Sequence, residues 1–157
     1  MLTVEDLPLS VSLSAACPPY EGRFPIVYVN KAFARSFGYF RAETLGKKCD
    51  FLHTSQSMKS EVDKINKALR CARPARVALT QARKDGLEFN TVMAMKPVFD
   101  RRGVYCFVIS VFSNDTHAND KKPVHKDASS SSYKQNKDAY RQKQVLDVLS
   151  VLPNILK

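Results

Sequence analysis

Residues 84–112 read KDGLEFNTVMAMKPVFDRRGVYCFVISVF, and two turn signals divide this stretch into strands. The pair Asp85-Gly86 predicts a tight hairpin turn, because glycine adopts positive φ without a steric penalty. A strand is predicted from Phe89 to Val98, and a second turn is predicted over Asp100–Gly103. The very apolar residues 104–112 then predict a further strand. Strands joined by such short turns are typical of an antiparallel meander.

The segment before this stretch carries the signals of three short helices. Asn30 predicts the N-cap of a helix that runs through Ala34. Residues 41–46 predict a second helix, which is closed by its terminal glycine. Residues 56–70 carry apolar side chains at helical spacing, and Pro74 lies just beyond the point where that helix must end.

Three more strands are predicted outside the meander stretch. Val77 and Leu79 alternate with small or polar residues just before the first turn. Residues 26–29 are rich in β-branched side chains. Nearer the N-terminus, Val11 and Leu13 alternate with serines, which predicts a short strand with one buried face. The predicted fold class is therefore α+β, with a five-stranded antiparallel sheet and short helices on one face.

Composition divides the chain into four parts. Residues 1–24 are predicted to form an N-terminal arm with the first strand, and residues 25–114 a compact core. Residues 115–136 are polar, rich in lysine and serine, and predict a flexible linker. Residues 137–157 predict an amphipathic helix, whose apolar stripe a single helix cannot bury alone. The stripe consists of Val145, Leu146, Val148, Leu149 and Leu152.

The charge and the reactive residues exclude several classes of function. The formal net charge is +10, which raises nucleic acid or an anionic membrane as partners. The basic residues are spread along the whole chain without zinc-finger or helix-turn-helix spacing, so no specific nucleic-acid binding is predicted. No apolar run is long enough to span a bilayer. The four cysteines are widely spaced, which predicts reduced thiols in a cytoplasmic protein without a metal site; disulfides are the alternative.

An enzymatic function is not predicted. The sequence contains no Ser/His/Asp set and no glycine-rich phosphate loop. Cys49 and His53 are four residues apart and could meet on one helical turn, which makes a Cys–His nucleophile the only enzymatic alternative. If no cofactor lies beside it, Cys49 is predicted to be a small buried core residue. Cys106 is predicted to be a core residue in the last strand.

Residues 25–113 resemble a LOV domain, a subclass of the PAS domains, and the segment Leu45–Leu52 (LGKKCDFL) is the most specific part of the likeness. The resemblance covers somewhat more than half of the chain. The residues that carry it are Pro25, Ile26, Phe33, Tyr39, Arg41, Glu43, Leu45–Leu52, Val62, Ile65, Ala68, Lys84, Asp85, Gly86, Phe89, Pro97 and Gly103.

The resemblance implies a flavin, usually FMN, enclosed between the sheet and the helices. In LOV domains, blue light drives a cysteine sulfur onto a carbon of the flavin ring, and Cys49 stands at that position. Where the family has asparagine before this cysteine and glutamine after Phe-Leu, this chain has Lys48 and His53. The two arginines that grip the flavin phosphate correspond to Lys59 and Asn66.

The remaining flavin-contacting positions also differ from the family pattern. The two asparagines that face the polar edge of the flavin correspond to Gln81 and Thr91, both of which can donate or accept a hydrogen bond. The glutamine of the last strand corresponds to Phe112, which can do neither and whose ring needs more room. Each buried polar group left unpaired costs roughly 1–3 kcal/mol.

These substitutions favour a sensory and signalling module that works without a cofactor. It is predicted to act on a protein partner, or on a second copy of the chain, through its sheet face and its C-terminal helix. The alternative is a blue-light photoreceptor that binds FMN and uses Cys49 as the reactive cysteine.

Overall fold

The computed structural model describes residues 3–20 and 22–114. The predicted linker (115–136) and the predicted amphipathic helix (137–157), with its apolar stripe, lie outside the described residues.

The five-stranded antiparallel sheet is confirmed. Its strands are β1 (Ser10–Ala15), β2 (Ile26–Val29), β3 (Ala75–Ala82), β4 (Glu88–Phe99) and β5 (Tyr105–Asn114). They are arranged in the order β2-β1-β5-β4-β3, and all neighbouring strands run antiparallel. The meander β3-β4-β5 arises from the two predicted turns, and β1 inserts between β2 and β5.

The helices connect β2 to β3. They are α1 (Lys31–Phe37), α2 (Arg41–Thr44) and α3 (Lys59–Arg70), with a single turn of 3-10 helix at Cys49–Leu52. Together these elements cover one face of the sheet, which is called the inner face below. A second 3-10 turn, Val4–Asp6, lies before β1.

Three helix boundaries differ from the sequence predictions. Helix α2 ends at Thr44 rather than at Gly46, because Leu45 already leaves the helical conformation and its N–H closes the last turn on the Arg41 carbonyl. Helix α1 continues three residues past Ala34, because it ends only where Gly38 adopts a left-handed conformation with φ 75° and donates its N–H to the Ala34 carbonyl. Helix α3 begins at Lys59 rather than at residue 56. The preceding residues form a turn in which the Thr54 N–H donates to Ser57 Oγ, so they are held in a different backbone conformation.

The prediction of a single buried face on β1 was wrong. β1 lies inside the sheet, and both of its faces are covered. Ser12 and Ser14 are buried on the inner face, where Ser12 pairs with Ser110 of β5. Val11 is buried on the opposite, outer face. Alternation separates the two faces of a strand, but it does not tell which face meets the helices.

The inner face carries the main core. Phe33 and Phe37 of α1 are fully buried, with ring centroids 4.7 Å apart. Phe112 of β5 meets both rings edge-on, at 5.6 and 5.4 Å, and Phe89 of β4 contacts Phe37 at 5.6 Å. These four rings form the aromatic cluster.

Asn30 joins the N-terminal arm to the core. Its side-chain oxygen accepts hydrogen bonds from the N–H groups of Val11 and Phe33, at 2.9 and 3.0 Å. Its side-chain nitrogen donates to the carbonyls of Val4 and Leu9, at 3.0 and 2.9 Å. Asn30 is fully buried, so the predicted N-cap of α1 also connects three separate segments of backbone.

A smaller apolar cluster lies on the outer face. It consists of the buried side chains of Val11, Ala94, Ile109 and Val111. Val4, Leu7, Leu9, Leu13 and Val98 are partly buried against it. The N-terminal arm thus contributes to both faces of the sheet, and β1 and β5 carry side chains that reach the core on one side and this cluster on the other.

Candidate functional site

A cavity of about 70 Å³ lies between the inner face of the sheet and the helices. Its apolar lining comes from α3, β4 and β5, together with Phe24 before β2. Its polar lining comes from two strand serines, from the 3-10 turn after α2 and from α3. The apolar residues are Phe24, Val62, Ile65, Leu69, Met93, Met95 and Val108, and the polar ones are Ser14, Lys48, Cys49, Asp50, His53, Asn66 and Ser110.

Cys49 begins the 3-10 turn and faces the cavity and β1. Its Sγ lies 3.8 Å from Ser12 Oγ. Although the residue as a whole is partly exposed, its thiol is buried, and this burial outweighs the hydrogen bonds from Ser12 and Ser14 and raises the pKa of Cys49 to about 11. The thiol is therefore protonated at neutral pH, which makes it a poor nucleophile and a poor metal ligand.

His53 lies at the end of the same turn, where it forms an isolated β-bridge with Gln81 of β3. Burial lowers the pKa of His53, so the imidazole is neutral at physiological pH. Its Nε2 atom is buried and has no hydrogen-bond partner in the described part of the chain. No hydrogen bond joins His53 to Cys49 in that part. The geometry thus gives no support to the Cys–His nucleophile considered from the sequence.

Gln81, the bridge partner of His53, lies on β3, and Thr91 lies on the neighbouring strand β4. The Thr91 hydroxyl donates to Gln81 Oε1 at 2.7 Å, so the two side chains partner each other. Gln81 is fully buried, and its Nε2 atom has no partner among the described residues. One buried amide donor is therefore available to a ligand or a water molecule.

Lys48 and Asn66 face each other across the cavity. Lys48 Nζ donates to Asn66 Oδ1 at 3.4 Å, a long hydrogen bond, and lies 3.8 Å from the Asp50 carboxylate. The lysine charge is thus partly compensated by residues of this chain. Side chains engaged in this way are less available to a phosphate group.

The structure brings together four of the eight residues for which the resemblance implies a role at the flavin. Cys49, Lys48, His53 and Asn66 line the cavity. The other four positions do not line it: Lys59 is exposed at the start of α3, Gln81 and Thr91 bond to each other, and Phe112 belongs to the aromatic cluster.

Ten of the fourteen lining residues were not assigned to the site from the sequence, and four of them are instructive. Ser14 and Ser110 place hydroxyls on the inner face of adjacent strands, and Met93 and Met95 line the cavity from β4. The serine–apolar alternation of β1 contained a signal for the first of these, since every second residue shares a face. The methionines carry no such signal, because flexible thioether side chains are common in any core.

The cavity differs in size and in lining from the flavin site that the resemblance implies. Pockets for drug-sized molecules and cofactors measure about 300–1,000 Å³, whereas this cavity measures about 70 Å³. A ligand of that size would need lining side chains such as Phe24, Met93 or Met95 to move. No side chain here offers the planar guanidinium fork that suits a phosphate.

Residues 3–20 and 22–114 contain no group of three or more side chains placed to bind a metal ion. Within the same residues, none of the helices could span a lipid bilayer.

Comparison with known families decides the classification. The family model described as "PAS domain" matches residues 20–117. The chain belongs to the PAS domain family. Its relatives within this family include blue-light photoreceptors: the one of Listeria monocytogenes is 38% identical over 76 residues, which make up 48% of this chain and 30% of that protein.

Two further relatives agree with this placement. The blue-light-activated histidine kinase 1 of Erythrobacter litoralis is 31% identical over 101 residues, covering 64% of this chain and 27% of the kinase. The solved LOV domain of an Erythrobacter litoralis blue-light activated histidine kinase superposes with a TM-score of 0.64 at 25% identity, covering 69% of this PAS chain and 97% of that domain. The chain thus spans less than a third of the length of these curated relatives, and it is a LOV-like sensory module.

Proposed function

We propose that this LOV-like PAS module signals through protein–protein contact and does not carry out ordinary flavin photochemistry. The observation that carries the proposal is the cavity beside Cys49. The cavity is small. Of the side chains that the resemblance places around a flavin, four do not line it: two of these bond to each other, one is exposed and one packs in the aromatic cluster. The proposal treats the chain as non-enzymatic, because a protonated thiol and a neutral, unconnected imidazole supply no activated nucleophile.

The strands β1 and β5 provide a physical route from the cavity to the outer face. Ser14 and Ser110 line the cavity, while Val11 and Ile109 on the same two strands belong to the outer cluster. Any shift of these strands therefore changes both surfaces, since adjacent side chains of a strand alternate between its faces. The outer face and the apolar stripe of residues 145–152 are the proposed contact surfaces for a partner or a second copy.

Removal of the terminal helix is expected to abolish self-association. The chain ending at residue 136 should be monomeric by size-exclusion chromatography with light scattering, whereas the full chain should form a dimer, because the stripe needs an apolar partner. Leu149→Glu should have the same effect as the truncation. Ser150→Glu, which adds the same charge outside the apolar stripe of the predicted helix, should leave the dimer intact. Equal masses for the full and shortened chains would refute this role of the helix.

A second candidate is a blue-light photoreceptor that binds FMN, and specific features of the site favour it. The Cys49 thiol faces the cavity, and the Nε2 atoms of Gln81 and His53 are buried without partners in the described part of the chain. In a holo protein, FMN would supply light absorption. Gln81 and His53 would then contact the ring, Lys48 would place a charge near the ring, Asn66 would lie near the phosphate, and Cys49 would be the photoreactive residue.

The pigment of the purified protein separates the two candidates. Under the second candidate the protein is yellow and bleaches reversibly in blue light, and Cys49→Ala keeps the colour but loses the bleaching. Under the proposed function the protein is colourless, and Cys49→Ala changes little. Cys71→Ala, at an exposed cysteine, is the matched control.

A further inference from the structure

Two cysteines that are distant in the sequence lie side by side at one end of the sheet. Cys17 follows β1, and Cys106 lies near the start of β5. The N–H of Ala16 donates to the Cys106 carbonyl at 2.8 Å, which continues the antiparallel β1–β5 pairing up to the residue before Cys17. This pairing places Cys17 next to Cys106, and the Cys17 side chain contributes to raising the pKa of the Cys106 thiol.

Both residues are partly exposed. This differs from the sequence prediction that Cys106 is a core residue. The pairing of β4 with β5 shifts by one residue between Val98 and Phe99. Side chains at this end of β5 therefore do not alternate strictly between the two faces of the sheet, which explains the difference. An oxidant in solution can therefore reach the pair.

We propose that Cys17 and Cys106 form a redox-active dithiol, which a peroxide converts into a disulfide. The inference is independent of the function proposed above. Neither residue lines the cavity, and the LOV resemblance assigns no role to either.

The chemistry balances with hydrogen peroxide as the oxidant. One thiolate sulfur attacks a peroxide oxygen, so that an S–O bond forms, the O–O bond breaks, and the released hydroxide takes up the thiol proton as water. The second sulfur then attacks the sulfenic sulfur, an S–S bond forms, and the hydroxyl group leaves with the second thiol proton as another water. Two thiols and one peroxide thus give one disulfide and two waters, and two electrons pass from sulfur to oxygen.

The surroundings indicate which thiol reacts first. Partial burial, together with the negative Asp100 nearby, raises the pKa of Cys106, which lowers its thiolate fraction at neutral pH. Cys17 is therefore assigned as the thiol that meets the peroxide, and Cys106 as the resolving thiol. The resulting bond would tie the segment after β1 to β5, the two strands that connect the cavity with the outer face.

The test is thiol mapping of the full-length reduced protein. The protein is treated with one equivalent of hydrogen peroxide, the free thiols are alkylated, and the peptides are examined by mass spectrometry without reduction. We expect a linked peptide pair containing Cys17 and Cys106, with Cys49 and Cys71 alkylated, and reversal by dithiothreitol. Cys17→Ser and Cys106→Ser should each abolish the linked pair, and Cys71→Ser should retain it.

Two results would overturn the inference. One is full alkylation of Cys17 and Cys106 after peroxide treatment. The other is a bond from either of them to Cys71 or to another molecule in place of the Cys17–Cys106 bond. Both results are obtained with the chain that carries no substitution, so they do not depend on whether any variant folds.

Discussion

Replacement of Asn30 by alanine is expected to lower the free energy of unfolding by about 3 kcal/mol, because it removes an N-cap and leaves several buried backbone groups without partners. Its fully buried side chain makes four hydrogen bonds, to the backbone of Val11, Phe33, Val4 and Leu9. Urea unfolding followed by circular dichroism measures the loss.

Two comparisons sharpen this experiment. Asn30→Asp keeps the two accepted bonds but places a carboxylate beside the carbonyls of Val4 and Leu9, so it should also be strongly destabilising. Asn90→Ala changes an exposed asparagine of β4 and should stay within about 0.5 kcal/mol of the parent. If Asn30→Ala were as stable as Asn90→Ala, the connecting role of Asn30 would be refuted.

Restoring the glutamine of the LOV pattern at position 112 is expected to destabilise this protein rather than repair it. Phe112 is 1% exposed and meets the rings of Phe33 and Phe37 edge-on. Glutamine in its place buries an amide in an aromatic cluster and forfeits those contacts, at a cost of about 2–4 kcal/mol. Chemical denaturation measures the change, and flavin binding should not appear.

Phe112→Leu is the matched control, because it removes the ring but stays apolar. It should cost at least about 1 kcal/mol less than Phe112→Gln, since no unpaired amide is introduced. A glutamine variant as stable as the leucine variant would show that position 112 tolerates a polar group and would weaken the case against flavin.

The sheet was predictable because short sequence segments determine its turns and strands. The Asp85-Gly86 and Asp100–Gly103 turns set the β3-β4-β5 meander, and the helix signals place α1, α2 and α3 between β2 and β3. Errors arose where a boundary depends on one backbone conformation, as at Gly38, or where the two faces of β1 had to be distinguished. The second case needs the position of the strand in the sheet, which alternation does not contain.

The site was only partly predictable because it depends on distances between segments. The turn that carries Cys49 and His53 was recognisable, since its sequence is specific. Whether Lys59 reaches the cavity depends on where α3 begins, and whether Gln81 is available depends on its bond with Thr91. Such properties emerge from packing and are not encoded at any single position.

The cysteine pair illustrates the same limit. From spacing alone, four scattered cysteines predicted reduced thiols with disulfides as the alternative, and the spacing indicated no particular pair. The β1–β5 pairing brings Cys17 next to Cys106. The sequence around either residue contains no pattern that predicts this contact.

Reconstitution with FMN tests the central claim most directly. The purified chain is unfolded, refolded with an excess of FMN, desalted and examined by visible absorption before and after blue light, with a flavin-binding LOV domain treated in parallel. The account predicts that the reference domain retains flavin and that this chain retains none. Retention of one FMN per chain, with reversible bleaching that Cys49→Ala abolishes, would contradict it.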